Sequence, residues 1–218
     1  RAGPEIGVAS TKSFTAQLTV LLSFAVVLAK EKGAIDIKRA TEIHSQIQAL
    51  PGLVGRTLSL FDHIRPIAHS LSQSRSALYL GRGTLYPLAL EGALKLKELS
   101  YIHAEGFSSG EMKHGPIALI EDDLPVVALL AVDEVMGKAI SNLREVAARG
   151  GRIILIAEER AADEVDFADF VIKVPVVDAL LAPILLAVPV QILAYLTALE
   201  KGTDVDQPRN LAKSVTVE

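Results

Sequence analysis

The sequence lacks cysteine altogether, and it lacks any concentration of positive charge. Without a thiol, the chain cannot use thiolate catalysis, a zinc–thiolate site or an iron–sulfur cluster, and its composition fits a reducing compartment. Its 22 Lys and Arg residues stand against 26 Asp and Glu residues, which gives a net charge of −4. A surface that binds nucleic acid needs clustered positive charge, so this class of partner is excluded.

The start of the chain has neither an initiator methionine nor the apolar stretch of a signal peptide, and we expect a cut or processed end there. Residues 179–199 are almost entirely apolar and long enough to span a membrane. An acidic tail rather than a basic anchor follows them, which favours a helix buried on nearly every side of a soluble core. A membrane anchor is the alternative. Residues 16–29 are predicted to be too short to span.

What the chain does have is an alternation of apolar runs with segments of helical periodicity. Four short apolar runs predict buried strands, at residues 77–80, 125–131, 152–157 and 170–174. One segment of helical periodicity begins near residue 85, and two more cover residues 133–149 and 180–199. Such an alternation is typical of a parallel sheet that is covered on both faces. We therefore predict a doubly wound, flavodoxin-like α/β domain over residues 75–201.

The first 74 residues predict mainly helices. Apolar spacing predicts one helix from a cap at Ser10 or Thr11 to Lys32, and a second over residues 36–50 that ends before Pro51. A third is expected over residues 53–71, with a break near residues 62–66. Residues 5–9 are predicted to form a short buried strand or its exit loop. Since that strand has no partner before it, residues 1 to about 12 are expected to be the last piece of a preceding α/β unit, with the helices following it.

A glycine-containing turn, residues 81–84 (GRGT), follows the first strand of the predicted sheet. In doubly wound sheets, ligands bind at the carboxyl ends of the strands, and a helix start can hold an anion with its free N–H groups. The turn matches neither a Walker loop nor the GxGxxG pattern. A tight strand-to-helix turn is therefore an equally good interpretation.

Three charged side chains are predicted to share one face of the next helix. Glu91 and Lys95 are spaced i,i+4, and Lys95 and Glu98 are spaced i,i+3. A row of solvated ion pairs is the ordinary explanation of such spacing. The rest of the helix is apolar, however, which favours partial enclosure, and a carboxylate beside an ammonium can then have its pKa set for proton transfer.

Two further segments carry candidates for chemistry. Residues 103–116 predict a polar loop, and function commonly lies on such loops of an α/β scaffold. The spacing of their His and Glu residues matches no metal motif, so no metal is predicted and His114 is a better general acid/base. Lys213 lies in the polar tail of residues 202–218. Lys213 is a candidate nucleophile if the tail folds back over a pocket, where a desolvated amine could attack a carbonyl.

Five motifs resemble the glutamine–fructose-6-phosphate aminotransferase (isomerizing) family: residues 5–12 (EIGVASTK), 80–83 (LGRG), 91–98 (EGALKLKE), 110–116 (GEMKHGP) and 204–218 (DVDQPRNLAKSVTVE). Enzymes of this family join an N-terminal glutaminase to two SIS (sugar isomerase) domains. The resemblance implies that residues 1–74 are the end of a first SIS domain with linking helices, that residues 75–201 are the second SIS domain, and that residues 202–218 fold over the active site. The glutaminase and the phosphate-binding loop of the first SIS domain would be missing. A cytoplasmic homodimer without a cofactor, nucleic acid or membrane partner is implied.

The resemblance also implies roles for individual residues. Glu98 would move a proton between C1 and C2 of the open-chain sugar, and Lys95 would support it. Lys213 would form a Schiff base with the C2 carbonyl of fructose 6-phosphate, and His114 would assist ring opening from the neighbouring subunit. The remaining contacts to the sugar would come from Ser10 and from the backbone of Val8 and Ala212.

The expected function is therefore that of the isomerase part of such an enzyme, which converts fructose 6-phosphate and ammonia to glucosamine 6-phosphate. The alternative is a non-catalytic SIS module that binds a sugar phosphate and regulates a partner. A pure binder has no need of Glu98, His114 and Lys213 together, so their joint presence favours the enzyme.

Overall fold

The computed structural model describes residues 2–213 of the chain. Within these residues five strands form one sheet: β1 (Ser76–Gly81), β2 (His103–Ser108), β3 (Pro125–Leu130), β4 (Arg152–Glu158) and β5 (Phe170–Val174). All neighbouring strands are parallel, and their order is β2-β1-β3-β4-β5. The strand order reverses between β1 and β3, which makes that crevice the topological switch point. The predicted doubly wound α/β fold is confirmed.

Helices cover both faces of this sheet. They are α1 (Lys12–Glu31), α2 (Ile37–Leu58), α3 (Phe61–Ser72), α4 (Tyr86–Ser100), α5 (Met136–Ala147), α6 (Glu159–Ala162) and α7 (Ala182–Glu200). In the described part of the chain, one 3-10 helix, Gly83–Leu85, leads from β1 into α4, and two more, Ser109–His114 and Pro116–Leu119, lie between β2 and β3. Helices α3, α4 and α7 pack together on one face, and α5 and α6 lie on the other. Helices α1 and α2 contact each other and α7.

Successive strand residues face two separate apolar cores. Tyr79 and Val127 point into the core that includes α3, α4 and α7, whereas Leu78 and Val126 point into the core of α5 and α6. This alternation follows from the two-residue period of a strand. Because both faces are covered, β1, β3 and β4 are buried along almost their whole length. Their sequences are therefore continuous apolar runs.

Within residues 2–213 two helices are long and apolar enough to cross a membrane. One is α7, but 78% of its most apolar window is buried inside the protein, as predicted for a helix in the core. The other is α1, of which only 6% of the window is buried. The prediction that residues 16–29 are too short to span was wrong, because the helix extends at both ends to 20 residues. Several large apolar side chains of α1 are exposed, among them Val20, Leu21 and Phe24.

Residues 103–108 form the edge strand β2, which corrects the prediction of a polar loop over residues 103–116. Ala104 is its one buried residue, and the strand includes His103, Glu105 and Gly106. The strand forms through backbone pairing with β1, from Ser76 opposite His103 onward. Backbone pairing requires no apolar run, which explains why the sequence pattern of an edge strand was missed.

Two predictions for the N-terminal third also need correction. Helix α2 continues through Pro51 to Leu58, and α3 continues through Pro66, so the chain breaks at residues 59–60 instead. Each proline removes one N–H from a helix interior. Beyond its proline, α3 buries Ile67 and Leu71, and α2 packs the partly buried Leu53 and Val54 against the same core, and this packing offsets the lost hydrogen bond. Residues 5–9 form no strand and follow the path of an exit loop.

Gly92 allows α4 to lie close to β1 and α7. A Cβ at this position would come within 2.7 Å of the Tyr79 ring and 2.9 Å of a Val190 methyl, both in the core. We expect Gly92→Ala to lower the free energy of unfolding by about 1–3 kcal/mol through overpacking. Gly55→Ala in α2 is the control, because nothing lies within 4 Å of its Cβ. Urea unfolding should show the control about 0.5–1 kcal/mol more stable than wild type. A Gly92→Ala protein as stable as wild type would contradict the close approach.

Candidate active site

A cavity of about 360 Å³ lies where the N-terminal segment, α4, α7 and the tail meet. Its polar lining comes from all four of these parts of the chain, through Glu5, Lys12, Lys95, Gln191 and Asp206. Apolar side chains such as Leu99 and Val205 complete the wall. A pocket with a few convergent polar groups is the usual form of a small-molecule site.

The charged face of α4 meets this cavity at Lys95. The Lys95 Nζ lies 2.6 Å from Oε2 of Glu98 and 3.4 Å from Oε1 of Glu91, so the predicted three-charge face is present. The Lys95 side chain is only 4% exposed, and those of Glu91 and Glu98 are 16% and 22% exposed. A solvated row of ion pairs is therefore a poor description of this cluster. Burial of this kind strengthens the attraction between the paired charges, although it also removes them from water at a cost.

One lysine serves two carboxylates in this cluster. Burial raises the pKa of Glu91 above its ordinary value of 4.5, although the Lys95 ammonium opposes the change, and the charge of Glu98 raises it further. When fully ionised the three groups carry one more negative than positive charge. Glu91 therefore takes up a proton more readily than an exposed carboxyl, and perturbed groups of this kind are common in active sites.

Glu5 is a further charged group of the cavity that the sequence reasoning missed. Its carboxylate accepts hydrogen bonds from the backbone N–H of Thr11, at 2.7 Å, and from the hydroxyl of Ser13 at the start of α1. Burial alone would raise the pKa of Glu5, but these bonds, with Lys213 nearby, lower it to about 2. An acidic residue ahead of a Ser/Thr-rich helix start was the available signal. Glu5 is therefore a fixed negative charge at neutral pH.

The tail folds back over the N-terminal segment and the end of α4. The Val8 N–H donates to the Asp206 carbonyl at 2.8 Å, and the Arg209 N–H donates to the Tyr101 hydroxyl at 2.8 Å. The Lys213 Nζ then lies 3.5 Å from Oε2 of Glu5. The tail thus lies against the N-terminal segment as far as residue 213, but the Lys213 side chain is 41% exposed, and its role as a nucleophile stays a prediction. Residues 214–218 of the predicted tail lie outside the described part of the chain.

Of the three other predicted contacts to the sugar, two lie beside the cavity and one lies in the tail. Val8 and Ser10 alternate with the lining residues Gly7, Ala9 and Thr11, and so they adjoin the cavity. Ala212 is exposed and precedes Lys213. These three assignments stay predictions.

His114 does not join this cavity within one copy of the chain. It ends the 3-10 helix after β2, and its side chain is 76% exposed, with Nε2 4.0 Å from Glu111 as its nearest acidic partner. Entry of His114 from a neighbouring subunit stays a prediction.

The turn at residues 81–84 fits a tight strand-to-helix connection better than an anion site. A Cβ on Gly81 would collide with the backbone of Leu85, and the Arg82 guanidinium donates to the Asn142 side chain at 3.0 Å. The neighbouring cavity, of about 680 Å³, is bordered by Asp133 and Glu134, whose charges repel an anion. Within residues 2–213 no group of three His, Asp or Glu side chains is placed to hold a metal ion.

Comparison with known proteins gives matches along the whole chain. The SIS domain family matches residues 70–201. Over 218 residues the chain is 53% identical to a glutamine–fructose-6-phosphate aminotransferase [isomerizing] from Brucella abortus, and it is 53% identical over 220 residues to one from Rhizobium meliloti. These matches cover 100% of this chain and 36% of each relative. The chain thus spans about a third of the length of the curated relatives it matches.

Solved structures agree with this result. The C-terminal domain of glucosamine-fructose-6-phosphate aminotransferase from Francisella tularensis is 44% identical, with a TM-score of 0.91 over 94% of this chain and 58% of that one. Tagatose-6-phosphate ketose/aldose isomerase from Escherichia coli is 23% identical, with a TM-score of 0.69 over 97% of this chain and 55% of that one, and shows the fold alone. The resemblance seen in the motifs is confirmed, and with the family match over residues 70–201 it follows that the chain belongs to the SIS domain family.

Proposed function

We propose that the chain is the isomerase part of a longer glutamine–fructose-6-phosphate aminotransferase, called the parent enzyme below. Residues 1–74 would complete a first SIS domain and link it to a second one, residues 75–201, with residues 202–218 as the tail over the active site. The rest of the parent enzyme would supply the glutaminase and the loop that holds the substrate phosphate. The substrates would be fructose 6-phosphate and ammonia, the product glucosamine 6-phosphate, and the assembly a cytoplasmic homodimer.

One observation carries this proposal. Two residues far apart in the sequence line one cavity: Lys95, which belongs to the buried charge cluster on α4, and Glu5, which pairs with the Lys213 amine of the tail. Partly buried charges are costly to keep for stability alone, which argues against the non-catalytic SIS module as the better description. An enzyme that moves a proton beside an imine needs both groups.

The chemistry divides between the tail and α4. The Lys213 ammonium first gives a proton to solvent, and the free amine then attacks the C2 carbonyl of the open-chain sugar, where loss of water gives an imine. Ammonia then replaces the lysine on C2. The C=N bond acidifies the C1 hydrogen, so the Glu98 carboxylate can remove a proton from C1 and return it to C2. The C1 hydroxyl becomes the aldehyde as its own proton moves to the nitrogen, which balances the isomerisation.

Supporting groups hold these two residues in place. Lys95 fixes the Glu98 carboxylate through the 2.6 Å ion pair. His114 of the other subunit would transfer the proton that opens the sugar ring, because an imidazole can both accept and donate a proton. Ser10 and the backbone of Val8 and Ala212 would contact the sugar.

Trapping with borohydride tests the assignment of the lysine. In the parent enzyme incubated with fructose 6-phosphate, reduction should leave a sugar phosphate adduct on the peptide that contains Lys213, because borohydride reduces the imine to a stable amine. Lys213→Ala should abolish the adduct. Lys201→Ala, an exposed lysine just after α7, is the control and should be trapped normally. Undiminished trapping in Lys213→Ala, followed by mass spectrometry, would place the imine on another lysine.

A further inference from the structure

Glu5 and Lys213 form an ion pair that joins the start of the described chain to its tail. The Lys213 Nζ lies 3.5 Å from Oε2 of Glu5, and Glu5 also lines the cavity of the candidate active site. We propose that Glu5 is a positioning residue, which holds the Lys213 amine at the entrance of the cavity so that it meets the sugar carbonyl. This inference rests on the proposed function, in which Lys213 is the nucleophile.

The Glu5 carboxylate is a rigid partner. It is held at the start of α1 by the backbone N–H groups of Thr11 and Ser13, at 2.7 and 3.5 Å, and by the hydroxyls of the same two residues. Its side chain is only 13% exposed. The start of a helix also favours a negative charge, because the helix dipole points its positive end there. The carboxylate thus keeps its place when its partner moves.

Lys213 is by contrast weakly held by its own segment. Its side chain is 41% exposed. Arg209 is anchored by its N–H bond to the Tyr101 hydroxyl and by its guanidinium, 4.2 Å from the centre of the Tyr101 ring. Beyond Arg209, the described contacts of the tail are a long hydrogen bond, 3.4 Å, from the Leu211 N–H to the Pro208 carbonyl and the ion pair of Lys213 with Glu5. The position of the Lys213 amine therefore depends on Glu5.

The other charged groups around the cavity do not take this role. Lys95 is occupied by Glu91 and Glu98. Asp206 also lines the cavity. Among the described residues, however, the carboxylate that forms an ion pair with Lys213 is that of Glu5. A half-exposed ion pair adds little to folding stability, typically about 1 kcal/mol or less. Its effect should instead appear in the rate of a step that requires a precisely placed amine.

The test compares Glu5→Gln with wild type in the parent enzyme. Glutamine keeps a carbonyl oxygen for the N–H groups at the start of α1 but loses the charge that attracts Lys213. In single-turnover borohydride trapping with fructose 6-phosphate, we expect the Lys213 adduct to form about tenfold more slowly. In steady state kcat should fall while KM changes by less than about twofold, because the sugar is bound by other groups. Glu5→Asp, which keeps the charge on a shorter side chain, should recover part of the rate.

Glu31→Gln is the matched control, because Glu31 lies at the other end of α1 and pairs with Lys30. It should be trapped at the wild-type rate. If Glu5→Gln is trapped as fast as wild type while Lys213→Ala is not trapped at all, the positioning role is overturned and the proposed function stands. If Lys213→Ala is trapped like wild type, the proposed nucleophile is wrong, and the positioning role falls with it. If Glu5→Gln and Glu5→Asp slow trapping equally, Glu5 acts through packing and not through its charge, which also overturns the inference.

Discussion

Glu98→Gln in the parent enzyme is expected to lower kcat for glucosamine 6-phosphate formation by about 10²–10⁴-fold, the usual contribution of a positioned acid/base. Glutamine has nearly the same shape and can still accept the hydrogen bond that Lys95 donates to the carboxylate at 2.6 Å. An amide cannot take up the C1 proton, however. Substrate binding should survive, because the proposed role of Glu98 is proton transfer and other groups bind the substrate phosphate.

Exchange of the C1 hydrogen with deuterated water measures this step directly. Exchange should be lost in Glu98→Gln, while borohydride trapping on Lys213 persists, since imine formation precedes proton transfer. Glu164→Gln, on an exposed residue after α6, is the matched control and should exchange normally. Exchange near the wild-type rate in Glu98→Gln would mean that another group is the base.

Lys95→Met is expected to lower the free energy of unfolding at neutral pH by about 3–5 kcal/mol, the usual cost of removing one partner from a buried ion pair. Methionine fills most of the space of the lysine stem, so the loss of packing is small. It leaves the carboxylates of Glu91 and Glu98 together without a cation, in a site where both are largely buried. Lys97→Met changes the exposed side of the same helix, and urea unfolding should place it within about 0.5 kcal/mol of wild type.

The pH dependence of this loss has a definite sign. Burial already raises the pKa of Glu91 above 4.5, so the folded state binds this proton more tightly than the unfolded state. Such a group costs stability as the pH rises from about 4.5 through its folded pKa. Lys95 is the main group that holds the pKa of Glu91 down. Its removal should therefore raise this pKa further and make the free energy of unfolding fall more steeply as the pH rises. The deficit of Lys95→Met should therefore be largest near neutral pH and shrink towards about pH 4; an equal deficit at both would contradict the charge argument.

How far the sequence predicts this fold depends on how each element is buried. The strand β5 occupies Phe170–Val174, the segment predicted from its apolar run, and α7 lies within one or two residues of its prediction. Both are covered by other elements, and burial leaves a clear pattern in the sequence. The edge strand β2 leaves no such pattern, because Ala104 is its one fully buried residue, whereas the other edge strand, β5, buries Ile172 and Val174. The prolines of α2 and α3 misled the prediction because a proline acts locally while packing acts along the whole helix.

The candidate site divides in the same way. The helical period by itself determined that Glu91, Lys95 and Glu98 share a face, and the motifs determined the resemblance to the aminotransferase family. Only the tertiary structure decided that Lys95 is buried between its partners and that Glu5 meets Lys213. The reason is physical: the tail is returned by hydrogen bonds such as that from the Val8 N–H to the Asp206 carbonyl, and every sequence carries those backbone groups. Side-chain periodicity reports neighbours along one helix, whereas the meeting of distant segments depends on how the whole chain packs.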